Sequence, residues 1–456
     1  MPDIFGHCES LDGLRVVTSL RSSDPDQWLS GAAEAVVASL FLACTYATVN
    51  RPLFDNGACP LMLPLFGAAA VVLEVLCIMR DVRGTPTSGE WSGPLTIVVC
   101  SFLALLAWAA VSIPFHDHVI YDDSMGIIRG LPLYTLVVPL AEATVTILVA
   151  VFACRLLAAE NLKAAVWRLS MLMAIANPIA LVNQYVAGHT TGWRVATKLG
   201  GAAVCHVVLI LALAVAVDAV IRNYHRGISS AAGVSHVACL AASGSRAGMI
   251  CLALFIVGVV LFGPGRRSRK QWVILVSVGT VLAAAATWLL TTVRTGSLVD
   301  PDRAKTWALA GRVVVESPGR LLTGTGYGTI WPWFAVESTF MPRSSHGMRQ
   351  TLYGYTLPHA HSLFAQVLGE LGLIGLALVL VSVGTVIAVC VKGIRGESTV
   401  LCLGVLATIP AFFMDTYLIK NFPVALFWWV FTLVVCRLVT TSGWAKDPHR
   451  ELHVKG

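Results

Sequence analysis

Apolar runs of about twenty residues recur along most of this chain, divided by short charged loops. No other feature restricts the fold so strongly. A backbone surrounded by hydrocarbon has no water to bond, so it must satisfy its own N–H and C=O groups, and a continuous apolar run does this only as a helix. Candidate spans begin near Gly31, Pro60, Gly93, Leu133, Ala164, Ala196, Ile228, Arg246, Gln271, Leu363, Thr399 and Pro423, about twelve in all. Each approaches the roughly 17–25 residues that a bilayer requires, except the short stretch from Ile228 to Ala242. Only 12% of the 456 residues are charged, about half the share in a soluble domain, so lipid supplies much of the solvent. The expected fold is an all-α polytopic membrane protein.

Lysine and arginine set the expected orientation. Arg80, Arg83, Arg155, Lys163, Arg222, Arg226, Arg266, Arg267, Arg269, Lys270, Lys392 and Arg395 fall in alternate loops. The intervening loops hold fewer, among them Arg51, Arg129, Arg194, Lys198 and Lys420. The positive-inside rule then puts both termini in the cytoplasm. The net charge of +7 is accounted for by these anchors, which leaves a nucleic-acid partner without support. Of twelve cysteines, all but Cys8 and Cys59 lie in or beside apolar runs, where cysteine acts as a small hydrophobe.

The one long polar interruption runs from Thr291 to Pro358 and is expected to form a large extracytoplasmic loop. The expected organisation is a cytoplasmic segment (1–30), a transmembrane bundle (31–290), the loop domain (291–358), C-terminal transmembrane helices (359–440) and a cytoplasmic tail (441–456). Within the bundle, Ser243-Gly244-Ser245-Arg246-Ala247-Gly248 breaks an apolar stretch (243–248) and sets an arginine at a helix start, a natural anion site. In the loop, Asp300 to Ala310 reads as a capped amphipathic helix with Arg303 and Trp307 on one face, followed by the glycine-rich Leu322 to Gly328. That glycine string lacks the spacing of a phosphate loop and the flanking spans of a channel filter. The loop ends at His359-Ala360-His361-Ser362, where an apolar helix starts. On a helix the i,i+2 imidazoles would diverge, and no carboxylate cluster stands nearby in sequence, so no shared metal is expected.

Three of these blocks resemble the bacterial O-antigen ligase and polymerase family. They are Ser245-Arg246-Ala247-Gly248; Arg303 to Trp307 with Pro318, Gly324 and Gly326; and His361-Ser362 with Gln366 and Glu370-Leu371-Gly372-Leu373-Ile374-Gly375. The likeness covers roughly Ala241 to Val391, and Ser362 stands where the family often has Asn. It implies a GT-C-like glycosyltransferase of the cytoplasmic (inner) membrane, working on its outer face without metal or other cofactor. Such an enzyme moves a glycan from an undecaprenyl-diphosphate carrier to an acceptor hydroxyl of a glycolipid or glycan. Arg246 and Arg303 would then neutralise the diphosphate, and His361 or His359 would act as base, with His361 favoured. Arg312 and Arg320 would help hold phosphate or sugar; Trp307, Tyr327, Trp331, Trp333 and Tyr353 would stack on sugar faces.

Three rivals remain, one of them transfer of the glycan onto protein hydroxyls by an enzyme of the same family. A polymerase of the same superfamily joins repeat units, but the spacing from Arg312 to Gly324 departs from the Arg-to-Gly spacing of such polymerases. A proton-coupled transporter would use Glu74, Glu142, His206 and His236 within the spans; the plainer reading of these groups, with Glu34, is as hydrogen-bonded contacts between helices.

Overall fold

The computed structural model describes residues 25–46, 62–83, 91–121, 128–157, 162–188, 190–191, 194–195, 197, 199, 201–264, 301–334, 349–357 and 359–444. The span expected near Gln271, Cys8 and Cys59 lie outside them, as do parts of the long loop. Eight helices among the described residues are long and apolar enough to cross a membrane, fewer than the twelve runs counted from sequence. Two of the remaining expected spans, Arg246–Phe262 and Thr399–Phe413, are shorter apolar helices.

In chain order the helices are α1 (Pro25–Tyr46), α2 (Met62–Val82), α3 (Gly93–Ser112), α4 (Leu133–Leu156), α5 (Leu162–Val186), α6 (Gly201–Ile221), α7 (Arg226–Ser243) and α8 (Arg246–Phe262). There follow α9 (Pro301–Val314), α10 (Pro318–Thr323), α11 (Leu363–Gly393), α12 (Thr399–Thr408), α13 (Tyr417–Lys420) and α14 (Phe422–Trp444). Small strands join them: β1 (Val119–Tyr121), β2 (Ile128–Gly130), β3 (Thr190–Thr191), β4 (Arg194–Val195), β5 (Arg349–Thr351) and β6 (Gly354–Thr356).

The two ends of the bundle differ in chemistry. At one end, buried Arg80 and Arg437 donate to the last carbonyls of α4: Arg80 Nη1 to Arg155 O at 3.0 Å, and Arg437 Nη1 to Leu157 O at 2.8 Å and to Cys154 O. Those carbonyls have no intrahelical donor, and a cation at a helix C-terminus also meets the negative end of its dipole. Lys163 pairs with Glu397 at 3.5 Å and Arg222 donates to the Glu397 carbonyl, so the basic loops gather at this end. Arg437→Leu should leave two α4 carbonyls orphaned and cost about 2–3 kcal/mol, read as a lower thermal midpoint in detergent.

At the opposite end, β1 from the α3–α4 connection pairs antiparallel with β5 from the long loop, in a sheet of order β2-β1-β5-β6. His118 Nε2 meets the Tyr327 carbonyl at 2.9 Å, and Ser112 Oγ accepts the Tyr327 N–H at 3.0 Å. The α3–α4 connection therefore holds the loop domain against the bundle.

Several ionisable groups within the helices find partners that sequence spacing gave no sign of. Glu34 of α1 takes both a guanidinium NH and the Nε–H of Arg168 in α5. His236 of α7 lies 3.3 Å from Ser170 Oγ in α5, and His206 of α6 lies 3.2 Å from Ser245 Oγ. These are contacts between helices, the plainer of the two readings of such groups.

Two helices are interrupted. Residue Gly372 inside α11 has φ 64° and ψ −161°, which divides the helix after its second turn. The apolar run from Thr399 gives way at a 3₁₀ turn, Ile409–Phe413, then bends through buried Asp415 and Thr416 into the four-residue α13.

Candidate functional site

The break in α11 explains the glycine-rich loop. At a helix interruption the preceding carbonyls lose their i+4 donors. Here Gly369 O accepts from Thr325 N at 3.2 Å, Glu370 O from Gly326 N at 2.8 Å, and Leu371 O from Trp108 Nε1 at 3.1 Å. The Glu370 carboxylate accepts the Trp331 N–H at 2.8 Å. The amides of Thr325 and Gly326 are thus spent on α11 rather than turned toward a ligand. The loop is a clamp on α11, about two turns beyond the point where that helix begins.

At that beginning stand the two histidines. They do not lie on a helix, so the expectation that they diverge fails: both precede α11, and their rings approach to 3.7 Å between centroids. His361 takes φ 50°, a left-handed conformation uncommon for a residue with a Cβ and worth about 1–3 kcal/mol in strain. Ser362 then caps α11, its Oγ accepting the Ala365 N–H at 3.3 Å. Trp307 of α9 donates Nε1–H to the Ala360 carbonyl between the histidines at 3.1 Å, which docks the α9 face carrying Arg303 beside them.

Two residues not assigned a role from sequence complete the group. Lys420 Nζ lies 3.2 Å from His359 Nδ1. Buried Asp415 has a carboxylate oxygen within 4.8 Å of a ring nitrogen of each histidine. Both come from the broken stretch between α12 and α14, some sixty residues beyond the histidines. Nothing in local periodicity marks them.

Burial, then the charges of Lys420, His361 and Arg303, hold the His359 imidazole well below its usual range. Burial, then Arg303 and Lys420, brings His361 down to about 3. Asp415 is pushed up by burial and pulled back by Lys420, the Thr416 amide and Arg303. The imidazoles are therefore neutral at neutral pH. His359, His361 and Asp415 have the spacing of a metal-donor set, the one such set among the described residues. Two cations press on it, however, and one of them, the Lys420 ammonium, sits on one of its nitrogens. That field suits an anion better than a metal ion. Helix N-termini add to it: Arg303 lies in the first turn of α9, His361 just before α11, and Lys420 just before α14.

His359 and His361 differ in one respect. The Nδ1 of His359 faces the Lys420 ammonium, whereas buried Nδ1 of His361 has no hydrogen-bond partner among the described residues. Of the two, His361 is the one whose Nδ1 is not engaged by Lys420.

The remaining residues proposed from sequence are placed elsewhere or engaged. Arg246 opens α8, where Ser245 Oγ accepts the Gly248 N–H at 3.1 Å, and α8 packs against the 3₁₀ turn that leads to Asp415. Arg312 Nη2 donates to the Tyr353 carbonyl at 3.4 Å, while Arg320 pairs with Glu316 and lies 5.5 Å from the centre of the Tyr353 ring. Those two arginines fasten the β5–β6 turn and do not enter the histidine group. Tyr327 and Trp333 are buried in the main core of the bundle and Trp331 in a smaller cluster with α9, so none has a face to offer a sugar; burial raises the Tyr327 hydroxyl well above its usual range. Trp307 alone among the proposed tryptophans is exposed.

The depressed imidazoles set a pH dependence. Unfolded histidine titrates near 6.5, so as pH falls from about 6.5 toward 3 the unfolded chain takes up a proton that His361 in the fold refuses. Stability contributed by the neutral ring is present above that window and declines through it. His361→Gln should have a shallower loss of thermal midpoint over this range than the parent protein.

Fold and composition together define a multi-pass α-helical membrane protein with a cationic, imidazole-bearing site at one end of its bundle. No family model matches the chain, and no curated protein matches it.

Proposed function

We propose that the protein is a glycosyltransferase of the O-antigen ligase type, moving a glycan from an undecaprenyl-diphosphate carrier to an acceptor hydroxyl on the outer face of the cytoplasmic membrane. The observation that carries this reading is the pair of imidazoles before α11, their rings 3.7 Å apart, with Lys420 Nζ 3.2 Å from one of them and the α9 face that carries Arg303 docked beside them through Trp307. The chemistry follows from those groups. The acceptor oxygen attacks the anomeric carbon and loses its proton to His361 Nδ1. The bond from that carbon to the diphosphate oxygen breaks, and the lipid diphosphate leaves with its charge held by Arg303.

The imidazole is a weak base while two cations face it. Burial is the larger cause of that weakness, and a bound diphosphate offsets the share that comes from the cations.

The test is transfer of a labelled lipid-linked glycan by purified protein in EDTA. Absence of transfer with every lipid-linked donor class tried would remove the proposal. A second reading, coupled transport, is favoured by the paired interruptions in α11 and after α12, since broken helices at a membrane site are a transporter device. Under that reading Glu142, buried in α4, is essential and Arg303 dispensable.

A further inference from the structure

We propose that the groove between α6 and α7 holds an acyl chain of an anionic glycerophospholipid, with the lipid's phosphate at the start of α7. This site stands apart from the glycan-transfer reading and lies toward the other end of the bundle. The groove has a volume of about 540 Å³. Leu213, Val217 and Val220 of α6 form one wall, and Gly233, Val237 and Ala241 of α7 form the other. Its polar lining residues, Ser229 and Ser230, lie together at one end. From there to Ala241 the groove follows α7 for about 18 Å, a little over half of a hydrocarbon core about 30 Å thick. That is the depth of one leaflet and the reach of one acyl chain. Gly233 faces the opposite wall, since a Cβ there would lie 3.7 Å from Leu213 Cδ1 and 3.9 Å from Ala216 Cβ.

Charge complementarity selects the occupant. The polar end of the groove is at the basic end of the bundle, where Arg222 meets the Glu397 carbonyl. Arg226 opens α7 one turn before Ser229 and Ser230, and it is exposed. The preceding His225 takes φ 42° and gives the helix no side-chain cap, so the positive end of an 18-residue helix adds to the arginine. Space beside that first turn is open, because a Cβ on Gly227 would meet nothing within 4 Å. The two carboxylates at this end do not oppose an anion: Arg222 pairs with Asp218 at 2.8 Å, and Lys163 with Glu397 at 3.5 Å. Trp167 of α5 holds the mouth in shape. Its ring stacks on His225 with centroids 4.9 Å apart, and its Nε1–H donates to Ser229 Oγ at 3.0 Å. Cation, helix start, hydroxyls and then an apolar channel follow the order of a phospholipid from phosphate to tail. Basic residues at a membrane surface favour an acidic lipid over a zwitterionic one.

The test is photolabelling of the purified full chain in detergent by phosphatidylglycerol that carries a diazirine near the end of one acyl chain. Peptide mass spectrometry should place the label between Gly233 and Ala241. Unlabelled phosphatidylglycerol should compete better than phosphatidylcholine, and Arg226→Gln should reduce that preference about fivefold. Gly233→Leu, in protein with an unchanged melting profile, should lose the label because its side chain fills the groove. The competition in wild-type protein decides the matter without any variant. Equal competition by the two lipids overturns the proposal. So does a label absent from α7, the result expected if residues 271–290 of this chain or a second copy fill the groove instead.

Discussion

Replacing His361 by Ala should lower glycan transfer by about two to four orders of magnitude, the usual contribution of a positioned general base. The protein should stay folded, because the substitution removes a half-buried ring that has no hydrogen bond at Nδ1 and relieves none of the helix capping by Ser362. His359→Ala should cost less, since its Nδ1 already faces Lys420. Arg303→Ala should fall in the same range as His361→Ala, with Arg303→Lys recovering only part, because a point charge replaces a fork. The pattern to measure is kcat against donor KM. Loss of the base lowers kcat at nearly constant KM, and loss of a leaving-group cation changes both. Full transfer by His361→Ala, in protein with an unchanged melting profile, would leave the proposed base without a role.

The second large effect is structural. A Cβ on Gly372 would lie 2.4 Å from the Leu322 carbonyl oxygen and 2.5 Å from the Gly324 amide nitrogen; one on Gly324 would lie 2.3 Å from the Glu370 carbonyl. The obstructing atoms are backbone, which cannot rotate away, and both residues have positive φ, 64° and 75°. Gly372→Ala or Gly324→Ala should therefore separate the loop from α11. Freed carbonyls at Gly369 and Glu370, together with the strain, point to a loss of more than about 3 kcal/mol. Activity should vanish with it, because the clamp positions the first two turns of α11 and the histidines before them. Limited proteolysis would report the release as new cleavage between Leu322 and Trp331 at temperatures where the parent is resistant. Gly311→Ala, whose Cβ would meet nothing within 4 Å, is the matched control and should leave both stability and transfer unchanged.

Particular residues mark how far the sequence could be read. The apolar runs implied helices, because hydrocarbon allows an unbroken run no other form, and eight such helices are present among the described residues. Arg303 and Trp307, four residues apart, were legible as one helix face, and Ser362 as a helix start. Those features are local, with spacing set by 1.5 Å per residue along one element. Span number was less legible. Length and hydropathy do not tell an apolar helix that crosses from one that stops short, as the run from Thr399 does at its 3₁₀ turn.

By itself, then, the chain determined its helical character, its segregation of basic loops and the places where α9 and α11 begin. Tertiary structure alone decided that Lys420 and Asp415 meet His359 and His361, that Tyr327, Trp331 and Trp333 are core, and that a glycine loop completes a broken helix. The physical reason is range. Backbone hydrogen bonding and periodicity act within a turn or two of one element, whereas the register of α11 against the α13–α14 seam depends on packing among helices remote in sequence. An imidazole's basicity depends on that register too, since Arg303 and Lys420 reach it only through the fold.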